Sequence, residues 1–488
     1  MKFKGQFLII FFNMIFFLGA LPFLAFAQEN QTIGLTLSET ITAALENNFD
    51  IRIEEQNLEI KKEAINKAES VFDLTLSAEG SYADIESAVA TSDVVSNEIA
   101  LKQSFKTGTS YKIGLGSELT DIKNPAADPL HNSTAFFSVT QPLLKDMGTE
   151  VNTAAVVIAE KNQEVSLSQL NARVTDIVYS VQKKYWELLQ ARQILEADKY
   201  SLQLANDLVK DNETKVNEGT LASIEVLQAR ATAASRAVSI LSDEQQIRDL
   251  EDELRELMNL PGDDPLWEAV IIPESSPEQN KEEIELSEKI EFALENREEL
   301  KQLRLALGIK DLSISRSKNQ LLHTLDLQVG VSLAGEDESF GQSWSHAGNP
   351  DTHNYNIGLY LEIPLGNRSA KSDYNTALLE QKQAELNIQK NEQAITTEVK
   401  QAVRAVDTAY KTISATDLAE HLAREQLSSE LKKFEEGLST NFQVLDYQDK
   451  LASALSDSTR AKVSYQNALD SLDKTIGATM QQHNITID

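Results

Sequence analysis

The chain has 488 residues, a formal charge of −31 and no cysteine. So acidic a surface repels nucleic acid and anionic headgroups, and nothing basic is clustered to offset it. The lack of cysteine excludes disulfides, thiolate metal sites, thiol nucleophiles and a lipid anchor on an N-terminal cysteine.

The first predicted element is a secretory signal peptide at residues 1–27. Lys2 and Lys4 form its basic start, an apolar run follows from Phe7 to Leu24, and Ala25-Phe26-Ala27 is the small-x-small cleavage site. Losing it removes two lysines and no acid, which leaves the exported chain at −33. Beyond this leader no apolar run is long enough for a membrane-spanning helix, so any crossing has to be made by β-strands.

From there the chain is written twice. LTLSETITAALENNFDI at 35–51 aligns without gaps to IELSEKIEFALENREEL at 284–300, with eight of seventeen positions identical. A short helix is predicted at each place, capped by Ser38 or Ser287. After it the period changes to two: Phe72, Leu74, Leu76 and Ala78 alternate with polar residues, as do Leu325, Leu327, Val329 and Val331 in the second copy. Further alternating runs lie at 135–143 and 355–363, and the first half has an additional pair at 99–105 and 111–119, joined by KTGTS. Four strands are thus predicted in the first half and two in the second, each about the length of a tilted transmembrane strand. A soluble sandwich shows the same alternation. GEDESFGQSWSHAGNPDTH at 335–353 reads as a surface loop.

Two long helices follow the strands. Residues 150–216 and 369–436 run without proline or glycine, and at about 1.5 Å per residue each reaches about 100 Å. Leu170, Val174, Ile177, Val181, Tyr185 and Leu188 form a stripe at steps of three and four. Ile395, Val399, Ala402, Val406, Tyr410 and Ile413 repeat it 225 residues later, the spacing of helices packed side by side. Each long helix ends in a related turn, KVNEGTLASIEVLQAR at 215–230 and KFEEGLSTNFQVLDYQ at 433–448, where Gly219 and Gly437 suit a left-handed helix terminus. The division is therefore a first repeat at 28–258, with strands at about 71–144 and a helical hairpin at 150–258, and a proline-rich connector at 259–283 on the outside of the helical body. A second repeat follows at 284–480, with strands at about 324–364 and a hairpin at 369–478, and then a tail at 481–488.

No catalytic constellation is present. The sequence lacks GxSxG, Walker A and HExxH patterns, and six scattered histidines meet no metal-ligand spacing; His346, Asp351 and His353 share a loop and nothing more. The expectation is therefore no enzyme, no cofactor and no metal.

The order of these pieces resembles the TolC family of outer membrane efflux proteins over residues 35–478. Its most specific marks are VTQPLLKDMG and LEIPLGNRS, strand-to-helix junctions at Pro142 and Pro364, and the glycine turns at Gly219 and Gly437. The resemblance implies a mainly α fold with a membrane β-barrel: a homotrimer whose coiled-coil-like helical barrel crosses the periplasm. It implies a passive exit duct for efflux or type I secretion, opened by a periplasmic adaptor protein and an inner-membrane pump or ABC exporter. It also implies that the extra hairpin at 99–119 either enlarges the barrel to eighteen strands or folds as an external flap. Lys215, Glu218, Lys433 and Glu436 would flank tip turns that meet the adaptor, and Glu225 and Asp446 would form an acidic constriction. Where the family pattern places a second acid this sequence has Gln443, and Ser439 stands in place of an arginine. Residue by residue, Glu225 and Asp446 also read as ordinary solvated helix positions, and the whole chain as a surface coiled-coil protein without a pore.

Overall fold

The computed structural model describes residues 32–87, 91–123, 128–349 and 353–487. The leader and Asp351 lie outside them. In chain order the first half holds β1 (Thr32–Leu35), α1 (Leu37–Asn47), α2 (Phe49–Glu69), β2 (Thr75–Glu86), β3 (Thr91–Ser104), β4 (Ser110–Ile122) and β5 (Leu130–Pro142). It continues with α3 (Thr149–Asn152), α4 (Ala154–Asn217) and α5 (Ser223–Met258). Next come β6 (Val270–Pro273), α6 (Leu286–Asn296), α7 (Glu298–Asn319), β7 (Thr324–Asp337), α8 (Phe340–Ala347) and β8 (His353–Glu362). The chain closes with α9 (Arg368–Glu435), α10 (Asn441–Ile476) and α11 (Thr479–Gln482).

Several local expectations are corrected. Helix α1 begins earlier than Ser38: the Thr36 hydroxyl accepts the Glu39 N–H at 3.3 Å while the Glu39 carboxylate accepts the Thr36 N–H at 2.9 Å, a reciprocal cap. At α6 the N-cap is Glu285 rather than Ser287, whose hydroxyl donates to the Glu285 carboxylate at 2.7 Å. What reads as one short helix in each half is two, because Asn48 and Arg297 adopt extended backbone and start a second helix. The stretch predicted as loop at 335–353 contains α8, eight residues whose Phe340, Ser343, Trp344 and Ala347 fall on one face. The connector is not merely external: β6 pairs in parallel with β1, and Ile271 is fully buried among the helices.

The long helices organise everything else. Helix α4 has 64 residues and α9 has 68, about 96 and 102 Å at 1.5 Å per residue. The predicted stripe is buried in α4 from Leu170 to Leu188, and in α9 at Ile395, Val399, Val406 and Ile413, with Ala402 and Tyr410 partly covered. Each long helix is covered by two shorter ones, α4 by α2 and α5, α9 by α7 and α10. Packing of α4 against α7 and α10 joins the two halves.

All six longer strands form one antiparallel sheet in the order β2-β3-β4-β5-β7-β8. The hairpin at 99–119 is therefore no external flap; β3 and β4 lie inside the sheet, closed by a turn in which Gly108 has φ 92° and the Phe105 N–H donates to Thr109 O at 2.8 Å. Directly opposed residues share a face. One row reads Leu76, Leu101, Ile113, Phe137, Val331, Tyr355 across all six strands. The opposite face carries Glu79 beside Glu98 and Glu118 beside Asn132. A sheet with one apolar and one polar face results, and its outer strands β2 and β8 each have a single neighbour among the described residues.

Tyrosines tie the connector to the bundle. The Tyr185 hydroxyl donates to Leu35 O at 2.9 Å and accepts the Ser275 N–H at 2.8 Å; Tyr465 donates to Asn280 O at 2.8 Å. Replacing Tyr185 with Phe leaves the Ser275 N–H without its partner in a part-buried place, at about 1–3 kcal/mol, while Leu35 O keeps only the Glu274 N–H. The expected outcome for Tyr185→Phe is a lower thermal midpoint with faster amide exchange confined to β1 and to residues 270–276.

Candidate functional site

Far from the sheet, at the distal ends of α4 and α9, the chain turns twice in the same way. Gly219 has φ 76° and Gly437 φ 75°. In the first turn the Gly219 N–H donates to Val216 O at 3.0 Å and the Thr220 N–H to Lys215 O at 2.9 Å. The second repeats this with Gly437 to Phe434 O at 3.2 Å and Leu438 to Lys433 O at 2.7 Å. These bonds satisfy the last helical carbonyls. Nothing lies within 4 Å of a β-carbon built at either glycine, so the left-handed backbone and not space demands glycine, at about 1–2 kcal/mol for any other residue.

The two tips touch each other. Lys215 does not extend into solvent: its ammonium lies 3.8 Å over the Phe434 ring and donates to Phe434 O at 3.2 Å. Leu208, Phe434, Val444 and Leu445 form an apolar cluster beneath. Beside them the buried Asn212 donates its amide to Asn441 at 2.7 Å, and Asn441 reaches Glu225 O at 3.4 Å. Further up, Arg236 of α5 is nearly enclosed and donates to Ser201 O at 2.7 Å, to Gln448 at 3.0 Å and to Asp449 at 2.6 Å. Sequence reading missed Asn212, Arg236, Asn441 and Gln448. A polar residue interrupting the buried stripes was the only available signal.

The predicted acids take different places. Glu225 occupies the first turn of α5, where its charge favours the exposed amides of the helix start. Asp446 is half-exposed and pairs with Lys450 at 2.6 Å, raising the lysine's pKa through that hydrogen bond. Gln443 does not project freely: its carbonyl accepts from the Thr440 N–H and hydroxyl at 3.3 Å and from Ser439 at 3.1 Å, capping α10. Ser439 and Lys433 both bond to Glu430, which is buried against the turn. Glu218 and Glu436 are exposed helix caps. Around them Ile224, Leu227, Leu438 and Phe442 are all at least 60% exposed, an apolar surface beside the carboxylates.

At the other end the proline junctions close the sheet. Pro142 is the last residue of β5, opposite Asp326, and the Leu143 N–H still donates to Leu325 O at 2.7 Å. Pro364 follows β8; three residues later Asn367, at φ 47°, starts α9 and anchors to Leu321 O at 3.1 Å. Among the described residues no three His, Cys, Asp or Glu side chains gather as a metal site, and no helix is long and apolar enough to cross a membrane.

The family model described as "Outer membrane efflux protein" matches residues 40–260 and 290–478, both halves of the chain. The chain belongs to that family. A comparison with curated proteins gives no match. Among solved structures, the outer membrane protein VceC from Vibrio cholerae is 17% identical, with a TM-score of 0.68 over 90% of this chain and 96% of that one. The Campylobacter jejuni CmeC outer membrane channel is 16% identical with a TM-score of 0.67, covering 92% and 90%. The open state of the Neisseria gonorrhoeae MtrE outer membrane channel is 17% identical with a TM-score of 0.63, covering 91% and 89%. These likenesses establish the fold, and the resemblance drawn from the proline junctions and glycine turns is borne out by the family match.

Hydrogen bonding by Ser439, and then by Lys433, holds the Glu430 carboxyl below its usual value of 4.5. A depressed carboxyl contributes stability above the unfolded-state value, lost as pH falls through the folded one. Protection of the amides at residues 430–440 of this outer membrane efflux protein, taken relative to the free-peptide exchange rate at each pH, is therefore expected to fall below about pH 4.5. Glu430→Gln should show that reduced protection already at neutral pH and lose most of the dependence.

Proposed function

We propose that this chain is the outer membrane channel-tunnel of a tripartite efflux or type I secretion system. Three copies join the open edge β2 of one chain to β8 of the next, so that three six-stranded sheets make a barrel of eighteen strands. The apolar face meets outer membrane lipid and the polar face lines the bore. The long helices continue the bore as a periplasmic α-barrel, and the tips form its far entrance. What carries this reading is the pairing of a two-faced sheet with open edges at one end of the helices and doubled glycine turns about 100 Å away at the other.

The exposed Ile224, Leu227, Leu438 and Phe442, bordered by Glu218 and Glu436, are the surface we assign to the adaptor protein. Contacts of Lys215 with Phe434 and of Arg236 with Gln448 and Asp449 hold the hairpins together until docking separates them. The duct is passive, and an inner-membrane pump or ABC exporter supplies the energy.

Electron microscopy of the protein extracted in detergent tests the assembly. The expected particle has threefold symmetry, a micelle belt at one end and eighteen strands within it; soluble rods without a belt would overturn the proposal. We assign Glu225 and Asp446 to an acidic constriction, because a ring of carboxylates favours cations. In planar bilayers Glu225→Ala with Asp446→Ala should reduce cation preference, whereas unchanged selectivity would remove both from the constriction.

A further inference from the structure

Helix α8 is not needed to connect β7 to β8. It folds back onto the sheet, and three register positions fix which face it covers. Gly335, in line with Leu333 and Val331 on the apolar face, has no β-carbon; one added there would strike Ser343 O and the Ala347 N–H. Ser133, opposite Gly335, is fully buried and shares a hydrogen bond of 2.7 Å with the Ser343 hydroxyl. His131, two residues along the same face, meets the Phe340 ring edge-on at 5.8 Å between centroids. The helix therefore lies outside the wall, on the apolar side, and small residues beneath it make the room.

Its height follows from the strands. On β7 the apolar face runs Leu325, Leu327, Val329, Val331, Leu333 and then stops at Gly335. The eight steps from Leu325 to Leu333 span about 26 Å along the strand, or about 20 Å along the membrane normal at a tilt near 40°, close to the apolar band of a membrane barrel. At the helix-proximal end of this face Phe105 and Tyr111 lie together, 5.7 Å between centroids. At the distal end β5 and β7 offer only Ser133 and Gly335 beneath the helix, while the row beyond holds Val95 and Leu119 on the inner strands and Tyr82 on the edge strand β2; over β5 and β7 it is α8 that supplies the rings. Phe340 is 53% exposed, Trp344 half-buried, and their centroids are 6.5 Å apart. Gln342, Ser345 and His346 form the polar side of the helix.

Resting on the barrel reading above, we infer that α8 is an interfacial helix of the outer leaflet. It seats Phe340 and Trp344 at the boundary between acyl chains and headgroups and continues over β5 and β7 the distal aromatic girdle that Tyr82 begins on β2. Its occupant is lipid, because the surface it presents continues the apolar band of the same face and ends where that band ends.

Tryptophan emission tests this, since Trp186 and Trp267 lie in the helical body and serve as background. The full-length protein is reconstituted in phosphatidylcholine vesicles brominated either near the headgroup or near the chain ends. The expected result is loss of emission with the shallow label, little with the deep one, and no loss with either in Trp344→Phe. A control, Ile357→Trp in the Trp344→Phe background, places a ring at mid-band opposite Val329 and should respond to the deep label. If the control responds and Trp344 does not, or responds more to the deep label, the assignment of α8 is overturned while the barrel stands. If the control responds to neither label, the barrel reading falls and takes this one with it.

Discussion

Everything in this molecule depends on keeping two helices of about 100 Å covered on one side. A helix that long has no core of its own, and most of its stability has to come from an apolar face packed along its length. The buried stripe from Leu170 to Leu188 and its counterpart from Ile395 to Ile413 meet that demand along the middle of the two helices. Toward the tips the covering passes to α5 and α10, whose 36 residues each return about half the distance. The connector sits where the coverings change over, which is why Ile271 is buried and why Tyr185 and Tyr465 bond to its backbone.

At one end the helices hand over to a sheet whose two faces differ in chemistry. Period-two alternation is propagated from strand to strand by register, so a row that starts at Leu76 is still apolar six strands later at Tyr355. A slip of one residue anywhere would put polar side chains on the apolar side. The edges stay open in a single chain, and their Ile357, Leu359 and Leu361 remain exposed, which is an unstable arrangement in water and a suitable one for closing a barrel in lipid.

At the other end the two hairpins meet through small apolar clusters, such as Leu208 with Phe434, Val444 and Leu445, and a set of polar contacts beside them. Buried amides of Asn212 and Asn441, the guanidinium of Arg236 and the Lys215–Phe434 contact take over part of what the broader apolar seam does higher up. Polar links hold a defined geometry while burying little apolar area, so separating the hairpins sacrifices less hydrophobic stabilisation than opening the seam would. A region that has to change arrangement is better built this way than from Leu and Val.

Much was legible in the residues because it is local or repeated. Helix periodicity, strand alternation, glycine at positive φ and the duplication are properties of short windows, and the number and order of the long helices and sheet strands followed from them. Caps were misplaced at Ser38 and Ser287 because neighbouring hydroxyls and carboxylates compete for the same amides, a matter of ångströms. Helix α8 was hidden in a polar stretch, since what stabilises it is Gly335 and Ser133 on other elements. Gln443 read as a free pore residue until the cap of α10 claimed its side chain. Among the twelve candidate site residues, the sequence by itself determined the backbone of the two glycine turns and the two proline junctions. Only the tertiary structure decided that Lys215 faces Phe434, that the hairpin at 99–119 enters the sheet, and that Arg236 bridges α4, α5 and α10. Those outcomes depend on which distant elements become neighbours, and no single window of sequence contains both partners.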